Sequence, residues 1–153
     1  MLPLRRPPSG CHAGFTLVEL LAVVGIIGSL VALGIPASRE AVQQARVALA
    51  IADLRSISKN LEVQDSLPDN LAFFGPVQRD PWGNPYQYNK FPPFRRVPKG
   101  ARRDRFLVPI NTTHDLYSLG RDGVSSPALT AGPSRDDVIR ANDGGFFGLA
   151  SKY

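Results

Sequence analysis

The chain has 153 residues, 43% hydrophobic and 20% charged, which allows one domain with a modest core and excludes two. Its formal charge of +5 is too small a bias to argue for nucleic acid by itself. A single cysteine, Cys11, rules out a disulfide framework, and the two histidines, His12 and His114, give no His/Cys metal spacing.

Met1 to Gly14 contains Pro3, Pro7, Pro8 and Gly10, which discourage helix, together with Arg5 and Arg6, which fit the positive-inside rule. That places the N-terminus in the cytoplasm and the bulk of the chain outside. The stretch Gly14-Phe15-Thr16-Leu17-Val18-Glu19-Leu20-Leu21 then opens an apolar run that continues to Ile35 with Glu19 as its only charge. At about 1.5 Å per residue, a helix from Phe15 to Ile35 reaches roughly 30 Å, the hydrocarbon thickness of a bilayer. A carboxylate at the centre of a spanning helix costs about 2.5 to 3.5 kcal/mol, so it usually marks a function with a definable partner. Were the chain cut after Gly14, the new amino group of Phe15 would lie one turn from Glu19 and could pair with the Glu19 of a neighbouring subunit. An ordinary secretory signal has an apolar core of about 7 to 15 residues followed by a small-residue site, for which Ala32-Leu33-Gly34 could be offered. The run here is longer, and neither that reading nor a plain anchor accounts for Glu19. Pro36 falls where the run ends, and a kink or local melting is expected there.

From Ala37 to about Gln64 the pattern stays helical and becomes amphipathic. Val47, Ile51, Leu54 and Leu61 form a stripe suited to packing on a sheet, opposite Gln43, Arg46, Asp53 and Lys59. Asp65-Ser66-Leu67-Pro68-Asp69-Asn70 stops the helix with turn formers. Beyond it, strands are expected near Tyr86–Asn89, Phe106–Ile110, Asp115–Ser118 and Phe146–Leu149, separated by turns such as Arg79-Asp80-Pro81-Trp82-Gly83-Asn84-Pro85. The fold class is therefore α+β, one long helix with a small antiparallel sheet wrapped on it. The predicted divisions are residues 1–14, 15–36, 37–65 and 66–153.

Gly14 followed by Phe15-Thr16-Leu17-Val18-Glu19, after a short basic leader, resembles the class III signal of type IV pilins and type II secretion pseudopilins. The resemblance implies that residues 1–14 are a leader, that a membrane prepilin peptidase cuts after Gly14, that Phe15 becomes the N-methylated terminus and that Glu19 serves filament assembly. Cys11 and His12 leave with such a leader. Asp80-Pro81-Trp82-Gly83-Asn84-Pro85-Tyr86-Gln87-Tyr88 and His114-Asp115-Leu116-Tyr117-Ser118-Leu119-Gly120-Arg121-Asp122-Gly123 look like signature segments of the major pseudopilins of type II secretion. In that group a calcium ion is held by the loop after the Leu-Gly-x-Asp-Gly segment. Carried over, this implies Asp122 and either Asp136 or Asp137 as carboxylates, with the carbonyls of Leu119 and Val138 as neutral ligands. Calcium takes six to eight oxygens at about 2.3 to 2.6 Å in irregular geometry, which suits such a loop. The competing account is that Asp122-Gly123 is a turn, and that Ser134, Asp136 or Asp137 caps a short helix over Val138–Ala141.

No serine-histidine-acid or paired-carboxylate spacing appears, so no catalysis is expected. Arg95, Arg96, Lys99, Arg102, Arg103 and Arg105 beside Phe91 and Phe94 could be read as a nucleic-acid patch. The preferred account is a solvated loop whose charges meet acidic faces of neighbouring subunits, without nucleic acid as a partner. What the resemblance implies is a single-pass inner-membrane subunit with its C-terminal domain in the periplasm. It would polymerise with itself and other pseudopilins on an inner-membrane platform, held in lipid before assembly, to move folded proteins across the outer membrane. The alternative is a type IV pilus or competence pilin that takes up DNA.

Overall fold

A computed structural model describes residues 14–92 and 97–153, the side chains of Leu33, Gly34, Pro36 and Ala37 excepted. Helix α1 spans Leu17–Glu62, 46 residues. It continues through Pro36 as one element, so the local melting expected there is not found. Proline removes one backbone donor, a loss a helix can survive when its neighbours keep their bonds. Next to it the Ser38 hydroxyl donates to the Ile35 carbonyl at 2.9 Å. The chain divides into two compact units, one ending at Glu40 and one running from Ala41 to Tyr153.

The second unit holds a four-stranded antiparallel meander in the order β1 (Gln87–Lys90), β2 (His114–Ser118), β3 (Val138–Ala141) and β4 (Phe146–Leu149). Register places Gln87 opposite Tyr117, Tyr117 opposite Ile139, and Ile139 opposite Gly148. Successive strand side chains point to opposite faces, and this sheet uses both. Leu116 and Val138 turn toward the helical stripe of Ala50, Leu54, Ile57 and Leu61, with Tyr86 closing the cluster. Ile139 and Ala141 turn the other way and join Ile110, Leu129 and Ala150, against which Tyr117, Phe146 and Tyr153 pack. The predicted stripe is therefore the core-facing edge of α1, with Leu54 and Leu61 buried and Val47 and Ile51 packed around them. Burying a leucine of this kind stabilises by roughly 1.5 to 3 kcal/mol.

One sequence expectation and one competing account are corrected. Phe106–Ile110 is not a strand: Asp104 and Leu107 exchange backbone bonds at 3.0 and 2.7 Å around a tight turn, and Phe106 at its tip is fully exposed. Pro109, having no N–H, could not have donated to a ladder in any case. Val138–Ala141 is a buried central strand and not a capped helix. The Ser134 hydroxyl meant to cap that helix instead accepts from the Ser126 N–H at 2.9 Å and donates to the Ser126 carbonyl at 2.7 Å.

Candidate functional site

At the start of α1, Thr16 and Glu19 form a reciprocal cap. The Glu19 N–H donates to Thr16 Oγ1 at 3.2 Å, while the Thr16 N–H and hydroxyl both donate to Glu19 Oε2 at 2.9 Å. This is a capping box, Ser/Thr followed three residues later by Glu, and it satisfies helix N–H groups that have no partner further back. From the sequence, Glu19 is given a partner in a neighbouring subunit, and this local role is missed, although Thr-x-x-Glu before an apolar run is its signature. Gly14 and Phe15 precede the helix, exposed. A Cβ added at Gly14 would meet nothing within 4 Å, so packing within the chain makes no demand for glycine there.

Leu17, Val18, Leu21, Val24, Ile26 and Leu30 are each more than 60% exposed. A continuous apolar surface of this kind marks a face that something else covers. Among the described residues no helix is long and apolar enough to cross a membrane. The described side chains run without a break from Gly14 to Ala32; in the rest of the expected span Ile35 is described, and the side chains of Leu33, Gly34 and Pro36 lie outside the description.

The two signature segments of the second unit interlock. Asp80 Oδ1 accepts from the N–H groups of Trp82 and Asn84 at 3.1 and 2.8 Å, which shapes the turn, and its Oδ2 accepts the Ser118 hydroxyl at 2.6 Å. Ser118 Oγ in turn receives the Gly120 N–H at 3.0 Å, and Asn84 donates to the Gly120 carbonyl at 3.1 Å. The same turn reaches α1, where Trp82 donates to Gln43 at 3.4 Å and the Tyr86 hydroxyl to Asp53 at 2.8 Å. Gln43 and Asp53, expected on a solvent face, hold the turn on the helix.

Beyond β2 the chain turns at Gly120 and Gly123, both at positive φ. Gly120 lies so close to Asp136 that a Cβ would stand 2.4 Å from its carbonyl oxygen. Asp136 Oδ2 accepts from the N–H groups of Arg121 and Asp122 at 2.9 and 3.1 Å, and Asp122 Oδ1 accepts from the Val124 N–H at 2.8 Å. Asp137 is fully buried and points elsewhere. Its Oδ2 accepts the Ser125 hydroxyl at 2.6 Å and the Arg102 Nη2 donor. Burial pushes the Asp137 carboxyl up, while Ser125 and Arg102 pull against that. Val138 sits in the sheet between Ser118 and Leu149. Of the residues that the resemblance implies for calcium, Asp122 and Asp136 thus accept from N–H groups of one loop, Asp137 turns to Ser125 and Arg102, and Val138 belongs to β3. Among the described residues no group of three or more acidic, His or Cys side chains is arranged to hold a metal ion.

Within the basic connection, Phe94, Arg95 and Arg96 lie outside the described residues, and Lys99, Arg103 and Arg105 are exposed. Arg102 corrects the solvated-loop reading: it is 2% exposed, paired within its own chain. A second buried network, with no local signal in the sequence, surrounds Arg140. Arg140 donates from Nε to Ser58 at 3.0 Å and lies within 4.0 Å of Glu62 and 3.8 Å of Asp143. Asn111 links it to Asp115, which also accepts the Arg102 N–H at 2.7 Å. Burial raises Asp115. His114, also buried, is pushed down to about 4, first by burial and then by the charge of Arg140.

A helix whose second half seats a four-stranded antiparallel sheet, and whose first half is apolar and opens on a capped Gly-Phe-Thr-Leu-Val-Glu, defines a pilin-like subunit. No family model matches the chain, and no solved structure matches it. It is 33% identical over 123 residues to the type II secretion system core protein G of Pseudomonas aeruginosa, a match covering 73% of this chain and 85% of that protein. The chain belongs to that family, the major pseudopilins of type II secretion.

Proposed function

We propose that the chain is the repeating subunit of the periplasmic pseudopilus of a type II secretion system, and that its work is structural and mechanical. The similarity to a type II secretion core protein over most of both chains carries this reading. In it, a prepilin peptidase cuts after Gly14, and Phe15 becomes the methylated terminus. The apolar half of α1 anchors the subunit in the inner membrane until an assembly platform inserts it into the filament. The exposed surface from Leu17 to Leu30 supports that passage, because it needs cover first from lipid and then from neighbouring helices. The open space around Gly14 supports the peptidase step, since a glycine that the chain itself does not require is free to answer to an enzyme that accepts no side chain there.

The test is mass spectrometry of membrane fractions from cells that express the chain with a prepilin peptidase. A mature terminus at Phe15, one methyl group heavier, and accumulation of the uncut precursor for Gly14→Val, are the expected results. A terminus elsewhere, for instance after Gly34, would sink the reading. Restored export of a folded protein in a strain lacking its own core subunit tests the secretion role directly.

A further inference from the structure

We propose that in this chain the guanidinium of Arg102 does the work that a bound divalent cation would do in the loop after β2. It neutralises the buried Asp137 and ties residues 119–137 to the sheet, so the fold stands without calcium. This rests on the loop's geometry and not on the secretion reading.

The cation's surroundings are a built site. Arg102 is the largest fully buried side chain among the described residues. Its Nη2 meets the Asp137 carboxylate, and its Nη1 meets the Ser125 hydroxyl and, at 2.8 Å, the Ser126 carbonyl. The guanidinium carbon stands 4.0 Å above the centre of the Tyr117 ring, which faces it with negative π density. Carboxylate, hydroxyl and carbonyl oxygens together form the mixed set that hard cations take, and here the cation is covalently part of the chain. Its backbone anchors it as well, with the N–H on Asp115 and the carbonyl receiving the Ile110 N–H at 3.1 Å. A planar guanidinium suits this role better than an ammonium, because it donates in two directions while stacking on an aromatic face.

The acids of the loop are used within the chain. Gly120 is pressed on the Asp136 backbone, and the Asp136 carboxylate is used on two loop N–H groups. Asp122 is used on Val124.

Asp137 Oδ1 and Arg102 Nε are buried without a hydrogen bond among the described residues, so the pair is held through one arm only. Removing the arginine would leave a buried carboxylate beside a hydroxyl and a carbonyl, open to a small cation.

The experiment follows melting of the full-length chain in mild detergent through the fluorescence of Trp82, the only tryptophan, whose turn touches this loop. The wild type should melt at one temperature in millimolar calcium and in chelator. Arg102→Ala should melt lower by about 5 °C or more and recover part of the loss in methylguanidinium, which should leave the wild type unmoved. Arg102→Lys, which keeps the charge but loses the planar fork, should fall between them and covers the case in which the alanine variant does not fold. A wild-type melting temperature that rises with calcium and loses that rise in Asp122→Ala would overturn the proposal. So would an Arg102→Ala variant as stable as the wild type.

Discussion

His114 shows how one buried side chain sets a pH response. Its Nδ1 meets the Thr113 hydroxyl at 3.0 Å, its Nε2 has no hydrogen bond among the described residues, and its pKa falls from 6.5 to about 4. The folded state thus refuses a proton that the unfolded chain accepts. The stability tied to this residue is fully present above about pH 6.5 and is lost as pH falls toward about 4, a change worth ~3 kcal/mol for a shift of this size. Asp115 and Asp137 run the opposite way: burial raises them, so their contribution is present at low pH and is lost as pH rises through their folded values. The comparison that isolates the histidine is wild type against His114→Gln. Denaturant unfolding at a series of pH values should give a variant curve that is flatter between pH 6.5 and 4, and parallel curves would remove the histidine from the account. Thr16 makes a second residue-scale test. Thr16→Ala should cost the helix start about 1 kcal/mol. Hydrogen exchange should then speed up at the amide of Glu19, which loses the threonine oxygen it donates to, while amides in the second unit keep their rates.

Among the elements, α1 and its core stripe were readable because spacings of three, four and seven persist over several turns. Leu54→Ala should therefore cost about 2 to 5 kcal/mol in unfolding of the second unit, while Leu49→Ala, at a position 54% exposed, should cost well under 1. Equal losses at both would mean that the stripe does not face the sheet as described. The strands β1, β2 and β4 were legible within a residue or two, since each joins β-formers to a turn signal. β3 was not, because Ser-Arg-Asp-Asp before Val138 reads locally as a helix cap. Only the partners decide it: Ser118 on one side and Leu149 on the other. The loop after β2 was legible as a cluster of acids, but not as two acids on local N–H groups and one on Arg102. That arginine lies among exposed cations, 35 residues from the aspartate it pairs with, and no local pattern sets it apart. The Asp80–Ser118 and Asn84–Gly120 bonds belong to the same class, since they join segments that resemblance had marked separately.

For the whole molecule the decisive contrast is between its two units. The second buries its own apolar surface on both faces of its sheet, whereas the first leaves an apolar helix uncovered, with a carboxylate whose only described hydrogen bonds are to Thr16. Stability and assembly should then separate by mutation. Glu19→Leu makes the uncovered half more apolar, so insertion and cutting after Gly14 should proceed as in the wild type. Melting of the second unit, read at Trp82, should not move, because Glu19 lies outside that unit. On the proposed reading the loss should fall on polymerisation, where the amino group of Phe15 in an arriving subunit would need an anion inside an apolar environment, a pairing whose absence would leave a buried charge uncompensated. Thr16→Ala provides the control: it weakens the same cap but leaves the carboxylate, so it should still assemble. Cysteine crosslinking between subunits reads the outcome, with a ladder for the wild type and for Thr16→Ala and no ladder for Glu19→Leu. A full ladder from Glu19→Leu would show that the carboxylate serves only to cap its own helix, and loss of the ladder in both variants would show that assembly needs the cap and not the charge.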